Sequence, residues 1–133
     1  MSDPTPAHRH NLLFVEDDYD TREFLLALAH SVGLEAITCE NGRSALDTLR
    51  RGFRPCLIVL DMAMPDMDGF EFRREQMADP ALRGIAVAIV SGSGWAAETD
   101  ARKLGLTVFL HKPVDPELLL KAFEDHCGAR RSR

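Results

Sequence analysis

The chain has 133 residues, of which 45% are hydrophobic and 28% are charged, and its formal net charge is −5. This length is typical of a single domain that buries a proper core, and the acidic balance argues against a general nucleic-acid binder, which is usually basic. The apolar runs are far too short to cross a bilayer, and the N-terminal MSDPTPAHRHN lacks the apolar segment of a secretory signal.

Strand-like and helix-like segments then alternate along the chain. A short apolar run predicts a first strand over Leu12–Val15, and apolar residues at helical spacing from Phe24 to Val32 predict a first helix, with Asp18 as its N-cap. The later predicted elements are a strand over Glu35–Cys39, a short helix around Ala45–Leu49, a strand over Cys56–Leu60, a helix over Phe70–Met77, a strand over Ile85–Val90, a helix over Ala96–Leu104, a strand over Thr107–Leu110 and a last helix that begins at Pro116 and includes Phe123.

Five predicted strands that alternate with five predicted helices indicate an α/β fold with a parallel sheet. The third and fourth strands are apolar without alternation, which favours a sheet covered by helices on both faces. Because no repeat or linker interrupts the pattern, residues 11–126 are predicted to form one domain. Residues 1–10 and 127–133 are predicted to be loose tails, and the basic ARRSR end is interpreted as solvated rather than as a binding arm.

Polar residues stand where the strands end. Glu16 and Asp17 follow the first strand, Asp61 follows the third, Ser91 follows the fourth, and Lys112 lies just beyond the fifth. In open α/β sheets, ligands bind beyond the carboxyl ends of the strands. The fold hypothesis therefore predicts that these five residues converge at one edge of the sheet.

This set of residues suits phosphoryl chemistry. Three neighbouring carboxylates repel one another, and a divalent cation such as Mg²⁺, which prefers oxygen ligands, removes that repulsion. Lys112 can neutralise one phosphoryl oxygen and the hydroxyl of Ser91 can hydrogen-bond another. Asp61, held beside a metal and a lysine, is a candidate nucleophile toward phosphorus that would form an acyl phosphate.

Four motifs, in this order and at these spacings, resemble the receiver domain of bacterial two-component response regulators: LLFVEDD, LIVLDMAMPDMDG, AIVSGSG and FLHKP. The resemblance covers residues 11–126 and implies a flavodoxin-like (βα)5 three-layer sandwich with strand order 2-1-3-4-5. It also implies that Asp61 accepts a phosphoryl group from a phosphohistidine on a sensor histidine kinase or a histidine phosphotransfer protein. The chain would then act in phosphorelay signal transduction.

The resemblance implies a metal site for Mg²⁺ or Mn²⁺. Asp17, Asp61 and the backbone carbonyl of Ala63 are expected to bind the ion directly, and Glu16 is expected to act largely through water. The same motifs make Lys112 the phosphate-binding lysine, with a cis peptide bond before the proline that follows it.

The resemblance also implies a conformational switch. Ser91 is expected to move toward the phosphoryl group and Phe109 to swing inward with it. The output face of the family would involve three stretches of this chain, Trp95–Leu104, Phe109 and Pro116–Phe123. A downstream protein is the expected partner of this face, with no direct contact to nucleic acid and no membrane insertion, while a homodimer stays an open alternative.

Ala63 departs from the family in a way that bears on hydrolysis. Its side chain cannot hydrogen-bond the water that attacks the phosphoryl group, so slow autodephosphorylation over minutes or longer is expected. The chain is therefore interpreted as a self-phosphorylating signalling domain and not as a turnover enzyme. Its start and short tail favour a complete small protein over a piece of a larger regulator.

Two other functions stay open on the residues alone. A degenerate receiver would act as a constitutive protein-interaction module, although the intact acids and Lys112 argue against it. An aspartyl phosphatase or phosphotransferase of the haloacid dehalogenase type would need a second acid at the position of Ala63. The phosphate-cradling pattern GxxxxGK[ST] is absent from the sequence.

The three cysteines form an odd and sparse set. This count favours free thiols in a reducing compartment, and hence a cytoplasmic protein. Cys39 and Cys56 are interpreted as packing residues of apolar segments, whereas Cys127, near the C-terminus, is expected to be exposed.

Overall fold

The structure is a computed structural model that describes residues 11–62, 67–92, 99, 102–106 and 108–128. Its five strands are β1 (Asn11–Val15), β2 (Glu35–Cys39), β3 (Leu57–Asp61), β4 (Val87–Ser91) and β5 (Val108–His111). Its helices with complete bounds within these residues are α1 (Tyr19–Ser31), α2 (Gly42–Arg50), α3 (Gly69–Ala78) and α4 (Pro116–Cys127). The helix predicted over Ala96–Leu104 falls largely outside the described residues, although Arg102 and Lys103 are helical.

The five strands form one parallel sheet in the order β2-β1-β3-β4-β5, which confirms the predicted order 2-1-3-4-5. Adjacent strands end at nearly the same level, since Val15 pairs with Leu60, Asp61 with Val90, and Ser91 with His111. Parallel pairing in this register therefore places the carboxyl ends of β1, β3, β4 and β5 along one edge.

The middle of the sheet is buried on both faces, which explains the apolar strands without alternation. All five residues of β3 and all five of β4 are buried. On one face, strand residues such as Leu13 and Ile58 pack with Leu46 of α2 and Phe72 of α3. The opposite face has a separate core, which includes Phe14, Leu25 and Phe123. The two cores confirm the three-layer sandwich.

Acidic and amide side chains begin the helices by capping backbone N–H groups. The carboxylate of Asp18 accepts a hydrogen bond from the Thr21 N–H at 2.8 Å, which confirms Asp18 as the N-cap of α1. Asp68 forms a capping box with Glu71 at the start of α3. Asp115 caps α4, which has Pro116 in its first turn.

The expectation of free thiols is wrong for two of the three cysteines. Cys56 and Cys127 form a disulfide with an S–S distance of 2.08 Å and a Cα–Cα distance of 5.3 Å. Cys127 is buried rather than exposed, because α4 ends there against the start of β3. The pair is 71 residues apart in the chain, so their proximity depends on the tertiary fold. Cys39 is a free, buried thiol, as predicted.

None of the helices in the described ranges combines the length and apolar character that crossing a membrane requires.

Candidate functional site

Three carboxylates meet at the carboxyl edge of the sheet. Asp61 is the last residue of β3, and Glu16 follows β1 directly and continues its pairing through an N–H bond to the Cys39 carbonyl at 3.0 Å. Glu16 is 2% exposed and Asp61 is 4% exposed, whereas Asp17 is exposed to solvent. One carboxylate oxygen of each residue lies within 4.8 Å of the others. The predicted convergence of these acids is therefore present in the structure.

Lys112 brings a positive charge to the two buried acids. Its Nζ lies 3.2 Å from Oδ2 of Asp61 and 3.3 Å from Oε1 of Glu16, and its side chain is 33% exposed. The backbone holds it there, because the Lys112 N–H donates to the Ser91 carbonyl at 3.0 Å. The peptide bond to Pro113 is cis, as predicted. The ammonium group therefore stands between two carboxylates with one side open to solvent.

Burial and charge change the ionisation of this cluster. Burial raises the pKa of Glu16 from its usual 4.5 to about 7, and the nearby charge of Asp61 adds to that effect, while the Asp18 N–H and Lys112 act against it. Partial burial lowers the pKa of Lys112, but the neighbouring carboxylates of Asp61 and Glu16 outweigh it, so the net shift is upward. Lys112 therefore stays an ammonium at neutral pH.

The donor set fits a hard divalent cation. Three carboxylate oxygens within 4.8 Å of one another are the ligand type that Mg²⁺ and Mn²⁺ prefer. One of the three acids is exposed, which leaves an approach from solvent. Ala63, whose carbonyl is the fourth predicted ligand, lies outside the described residues.

Two residues that the sequence analysis did not assign to the site hold Glu16 in place. The N–H of Asp18 donates to Oε2 of Glu16 at 3.1 Å, and Nη1 of Arg22 donates to the Glu16 carbonyl at 2.9 Å. Asp18 thus has two roles, since its side chain caps α1 while its backbone N–H binds the carboxylate of Glu16. Arg22 has no motif that marks it, apart from its place in the first turns of the helix that follows the acids.

A glycine allows α3 to begin beside Asp61. The N–H of Gly69 donates to the Met62 carbonyl at 3.0 Å, which ties the start of the helix to the residue after Asp61. A Cβ at position 69 would lie 2.5 Å from Sδ and 3.0 Å from Cα of Met62. Only glycine therefore fits without displacing the chain next to Asp61.

The two predicted switch residues lie on neighbouring strands. Ser91 is the last residue of β4 and is 7% exposed. Phe109 is half-buried in β5 opposite Ile89, and the guanidinium carbon of Arg102 lies 4.8 Å from the centre of its ring. Ser91 thus stands at the site edge, while Phe109 lies further back along the sheet.

An open groove adjoins the site on the side of α1. It has a volume of about 350 Å³ and is lined by Asp20, Thr21, Phe24, Lys112, Pro113 and Val114. Phe24 is 39% exposed, so its ring offers apolar surface in this groove. Lys112 belongs to both the groove and the acidic cluster, so the two features are continuous.

Comparisons with known proteins agree with this architecture. A sequence profile of the family described as "Response regulator receiver domain" matches residues 12–124. The chain is 30% identical over 122 residues to a chemotaxis protein CheY homolog of Campylobacter jejuni, an alignment that covers 88% of this chain and 92% of that protein. It is 28% identical over 119 residues to the polar-differentiation response regulator DivK of Brucella anthropi, covering 89% of this chain and 96% of DivK.

A solved structure gives the same result for the fold. The crystal structure of a response regulator receiver protein from Pseudomonas putida superposes with a TM-score of 0.82 at 28% sequence identity. The superposition covers 88% of this chain and 97% of that one. The similarity therefore extends over the whole sandwich and includes the strands that carry the acidic cluster.

Proposed function

This chain belongs to the response regulator receiver domain family of two-component signalling, and we propose that Asp61 accepts a phosphoryl group from a phosphohistidine on a histidine kinase or phosphotransfer protein. The observation that carries the proposal is the contact between a strand-end carboxylate and an ammonium group. Asp61 Oδ2 lies 3.2 Å from Lys112 Nζ, in a cluster with Glu16 and Asp17.

The proposed reaction forms one bond and breaks one. A carboxylate oxygen of Asp61 attacks the phosphorus, the P–N bond to the donor imidazole breaks, and the bonding electrons stay on the imidazole nitrogen. The imidazole leaves as a neutral ring when its other nitrogen carries a proton, and otherwise it takes a proton from water. Lys112 places its positive charge where the transferred oxygens arrive, and the Ser91 hydroxyl is available to donate a hydrogen bond to one of them.

Glu16, Asp17, Asp61 and the Ala63 carbonyl are the residues that would hold Mg²⁺ or Mn²⁺. When bound, the ion neutralises the carboxylates and stabilises negative charge on the transferred group. Without such charge compensation, an incoming phosphoryl group would meet two buried acids and one exposed acid.

The protein is a signalling module rather than a turnover enzyme, as its family shows. We propose that the phosphoryl group stays on Asp61 for minutes or longer, because Ala63 offers no side-chain hydrogen bond to an attacking water. The intact mass of phosphorylated protein, followed after the phosphoryl donor is removed, tests this lifetime. Loss of the phosphoryl group within seconds would contradict slow autodephosphorylation.

The groove beside Lys112 supports a protein donor. A donor histidine must approach the open side of Lys112, and the exposed Phe24 offers an apolar contact at that position. We expect Phe24→Ala to slow phosphoryl transfer from a phosphohistidine protein and to leave the reaction with acetyl phosphate unchanged. Equal slowing with both donors would show that the substitution disturbs the site itself.

The output side of the proposal concerns α4 and β5. Leu118 is 54% exposed on α4, and Phe109 of β5 is half-buried, so this face has apolar side chains that a downstream protein can cover. Phosphorylation should shift the backbone amide resonances of Leu118 and Phe109. Shifts confined to the residues around Asp61 would count against this face.

We keep the cytoplasm as the proposed location, although the cysteines no longer favour it. A disulfide between Cys56 and Cys127 is more typical of an oxidising compartment, and in the cytoplasm it would be reduced. Fractionation of cells followed by thiol labelling would decide both points. Recovery of the protein outside the cytoplasmic fraction would overturn the proposed location.

The deciding experiment for the phosphoryl acceptor measures intact mass after incubation with acetyl phosphate, with and without Mg²⁺. We expect the wild type to gain one phosphoryl group only when Mg²⁺ is present, and Asp61→Asn to gain none. Asp47→Asn is the matched control, because Asp47 is an exposed aspartate on α2. A folded wild type that gains no phosphoryl group from either acetyl phosphate or a phosphohistidine donor would instead be a constitutive interaction module.

A further inference from the structure

A group of basic residues lies away from the proposed acceptor site, and its most buried member is Arg73 of α3. The residue is 7% exposed, yet it forms no ion pair with any residue of the described ranges. Its Nε donates to the Leu104 carbonyl at 3.1 Å and its Nη1 donates to Oε1 of Gln76 at 2.8 Å, and both acceptors are neutral. Burial lowers the pKa of Arg73, with no carboxylate acting in the opposite direction.

The orientation of Arg73 is fixed by its neighbours. Gln76 is fully buried, and its Nε2 donates to the carbonyls of Leu82 and Ile85, both at 3.0 Å. The amide oxygen of Gln76 must therefore face Arg73, because its nitrogen is already engaged. A guanidinium has five N–H donors, so further donors of Arg73 remain for another acceptor.

These donors border a cavity of about 210 Å³. The cavity also contains Arg83 and His126, and it has two glycines, Gly84 and Gly105, in its wall. Nη2 of Arg73 would lie 3.6 Å from a Cβ at position 105, and a Cβ at position 84 would meet no atom within 4 Å. None of the described lining residues is acidic, and the full described lining is Arg73, Arg83, Gly84, Ile85, Ala86, Val87, Gly105, Leu106, Val108 and His126.

The cavity is separate from the acceptor site. It lies where β4 and β5 begin, at Val87 and Val108, whereas the acidic cluster stands where the strands end. A five-residue strand spans roughly 13 Å from its first to its last Cα, which keeps the two positions apart.

We propose that this cavity binds a phosphate or sulfate group. The planar fork of an arginine matches two oxygens of a tetrahedral oxyanion, and Arg83 and His126 supply further N–H donors at the same cavity. A buried, unpaired charge is costly, and a bound oxyanion would offset that cost. At about 30 Å³ of liquid volume per water, the space equals about seven waters, enough for an inorganic ion or a small phosphate monoester.

The test is a titration of ¹⁵N-labelled protein without Mg²⁺, followed by backbone amide resonances. One arm uses inorganic phosphate and a second uses glycerol 3-phosphate, each compared with sodium chloride at the same ionic strength. We expect saturable shifts at Gly84 and Gly105 that chloride does not reproduce. Tighter binding of glycerol 3-phosphate would identify a phosphate monoester as the ligand class, and equal or tighter binding of phosphate would identify the free ion.

Variants locate the binding. Arg83→Gln removes an exposed charge and should weaken phosphate binding about two- to fivefold, whereas Arg73→Gln should weaken it roughly thirtyfold or more if it folds. Arg43→Gln, an exposed arginine on α2, is the matched control and should change nothing. No saturable shift at the two glycines, or a dissociation constant that Arg83→Gln leaves unchanged, would overturn the proposal whatever the folding of Arg73→Gln.

Discussion

At the scale of single residues, the proposed acceptor site depends on how the charge of Lys112 is shared between Asp61 and Glu16. The ammonium lies 3.2 Å from Asp61 and 3.3 Å from Glu16, so it partly compensates two buried carboxylates at once. Asp17 contributes a third carboxylate from the solvent side. The same arrangement leaves the excess of negative charge that a divalent cation would neutralise, and it holds the positive charge that the proposed phosphoryl transfer would use.

Replacing Lys112 with glutamine tests how much its positive charge contributes to the proposed phosphoryl transfer. The variant loses the charge that faces the transferred oxygens, so phosphorylation of Asp61 by acetyl phosphate should slow by about a hundredfold or more. The rate is measured by intact mass against time at saturating Mg²⁺. Lys121→Gln, an exposed lysine of α4 that pairs with Asp125, should keep the wild-type rate. A Lys112→Gln rate within twofold of wild type would remove Lys112 from the reaction.

Glu16 makes the stability of the metal-free protein depend on pH. Because its folded-state pKa is raised from 4.5 to about 7, the folded state holds the proton more tightly than the unfolded state between these values. The free energy of unfolding therefore decreases as pH rises through that window, by at most roughly 3 kcal/mol. Glu16→Gln cannot ionise and should lack this component.

Urea unfolding in EDTA at pH 4.5 and pH 8 checks the prediction. The variant should gain stability relative to wild type as the pH is raised, whereas Asp47→Asn should run parallel to wild type. A constant difference between Glu16→Gln and wild type across the two pH values would mean that Glu16 ionises normally.

At the scale of secondary-structure elements, the start of α3 is the most constrained junction near the site. Alanine usually favours a helix over glycine, but a Cβ at position 69 would lie 2.5 Å from the sulfur of Met62. Gly69→Ala should therefore lower the free energy of unfolding by about 1–3 kcal/mol and slow phosphorylation of the adjacent Asp61.

Gly84→Ala is the matched control for this substitution, because a Cβ there meets nothing within 4 Å. Chemical denaturation and the acetyl phosphate reaction are measured on both variants. A Gly69→Ala protein as stable and as reactive as wild type would show that Met62 moves aside without consequence.

The strands and caps could be predicted because their signals are local. β3 and β4 are continuous apolar runs, and Asp18 precedes its helix with the side chain that an N-cap needs. The predicted bounds of β2 match the structure, whereas each of the other strands has at least one end displaced by one or two residues, since pairing and not composition sets the ends. The Met62 N–H still donates to the Val90 carbonyl at 3.1 Å, which keeps Asp61 within the strand.

The site was only partly predictable. Parallel topology predicted that the acids and Lys112 lie at one edge of the sheet, because the carboxyl ends of parallel strands meet there. The contact of one ammonium with both Glu16 and Asp61 could not be predicted, because it depends on side-chain positions that the spacing of residues in the sequence does not specify. Arg73 was missed altogether, since on a helix its burial depends on what packs against it from distant parts of the chain.

At the scale of the whole molecule, the sandwich has two cores, and the last helix closes one of them. Phe123 of α4 packs beside Phe14 of β1 with ring centres 6.2 Å apart, and Cys127 ends the helix with a covalent bond to Cys56. Cys56 precedes β3, the strand that ends in Asp61. The disulfide therefore joins the amino edge of the sheet to α4, while the acidic cluster lies at the opposite edge.

Reduction of this disulfide should weaken the fold and spare the chemistry. A crosslink between residues 71 apart restricts the unfolded chain and can contribute up to about 4 kcal/mol. Dithiothreitol should therefore lower the urea midpoint of the wild type, and it should not affect Cys127→Ser, which already lacks the crosslink. Below the unfolding transition, phosphorylation of Asp61 should proceed at the same rate with and without reductant. Thiol labelling shows whether reduction is complete. If the urea midpoint of the fully reduced wild type is unchanged, packing of α4 alone holds this end of the molecule.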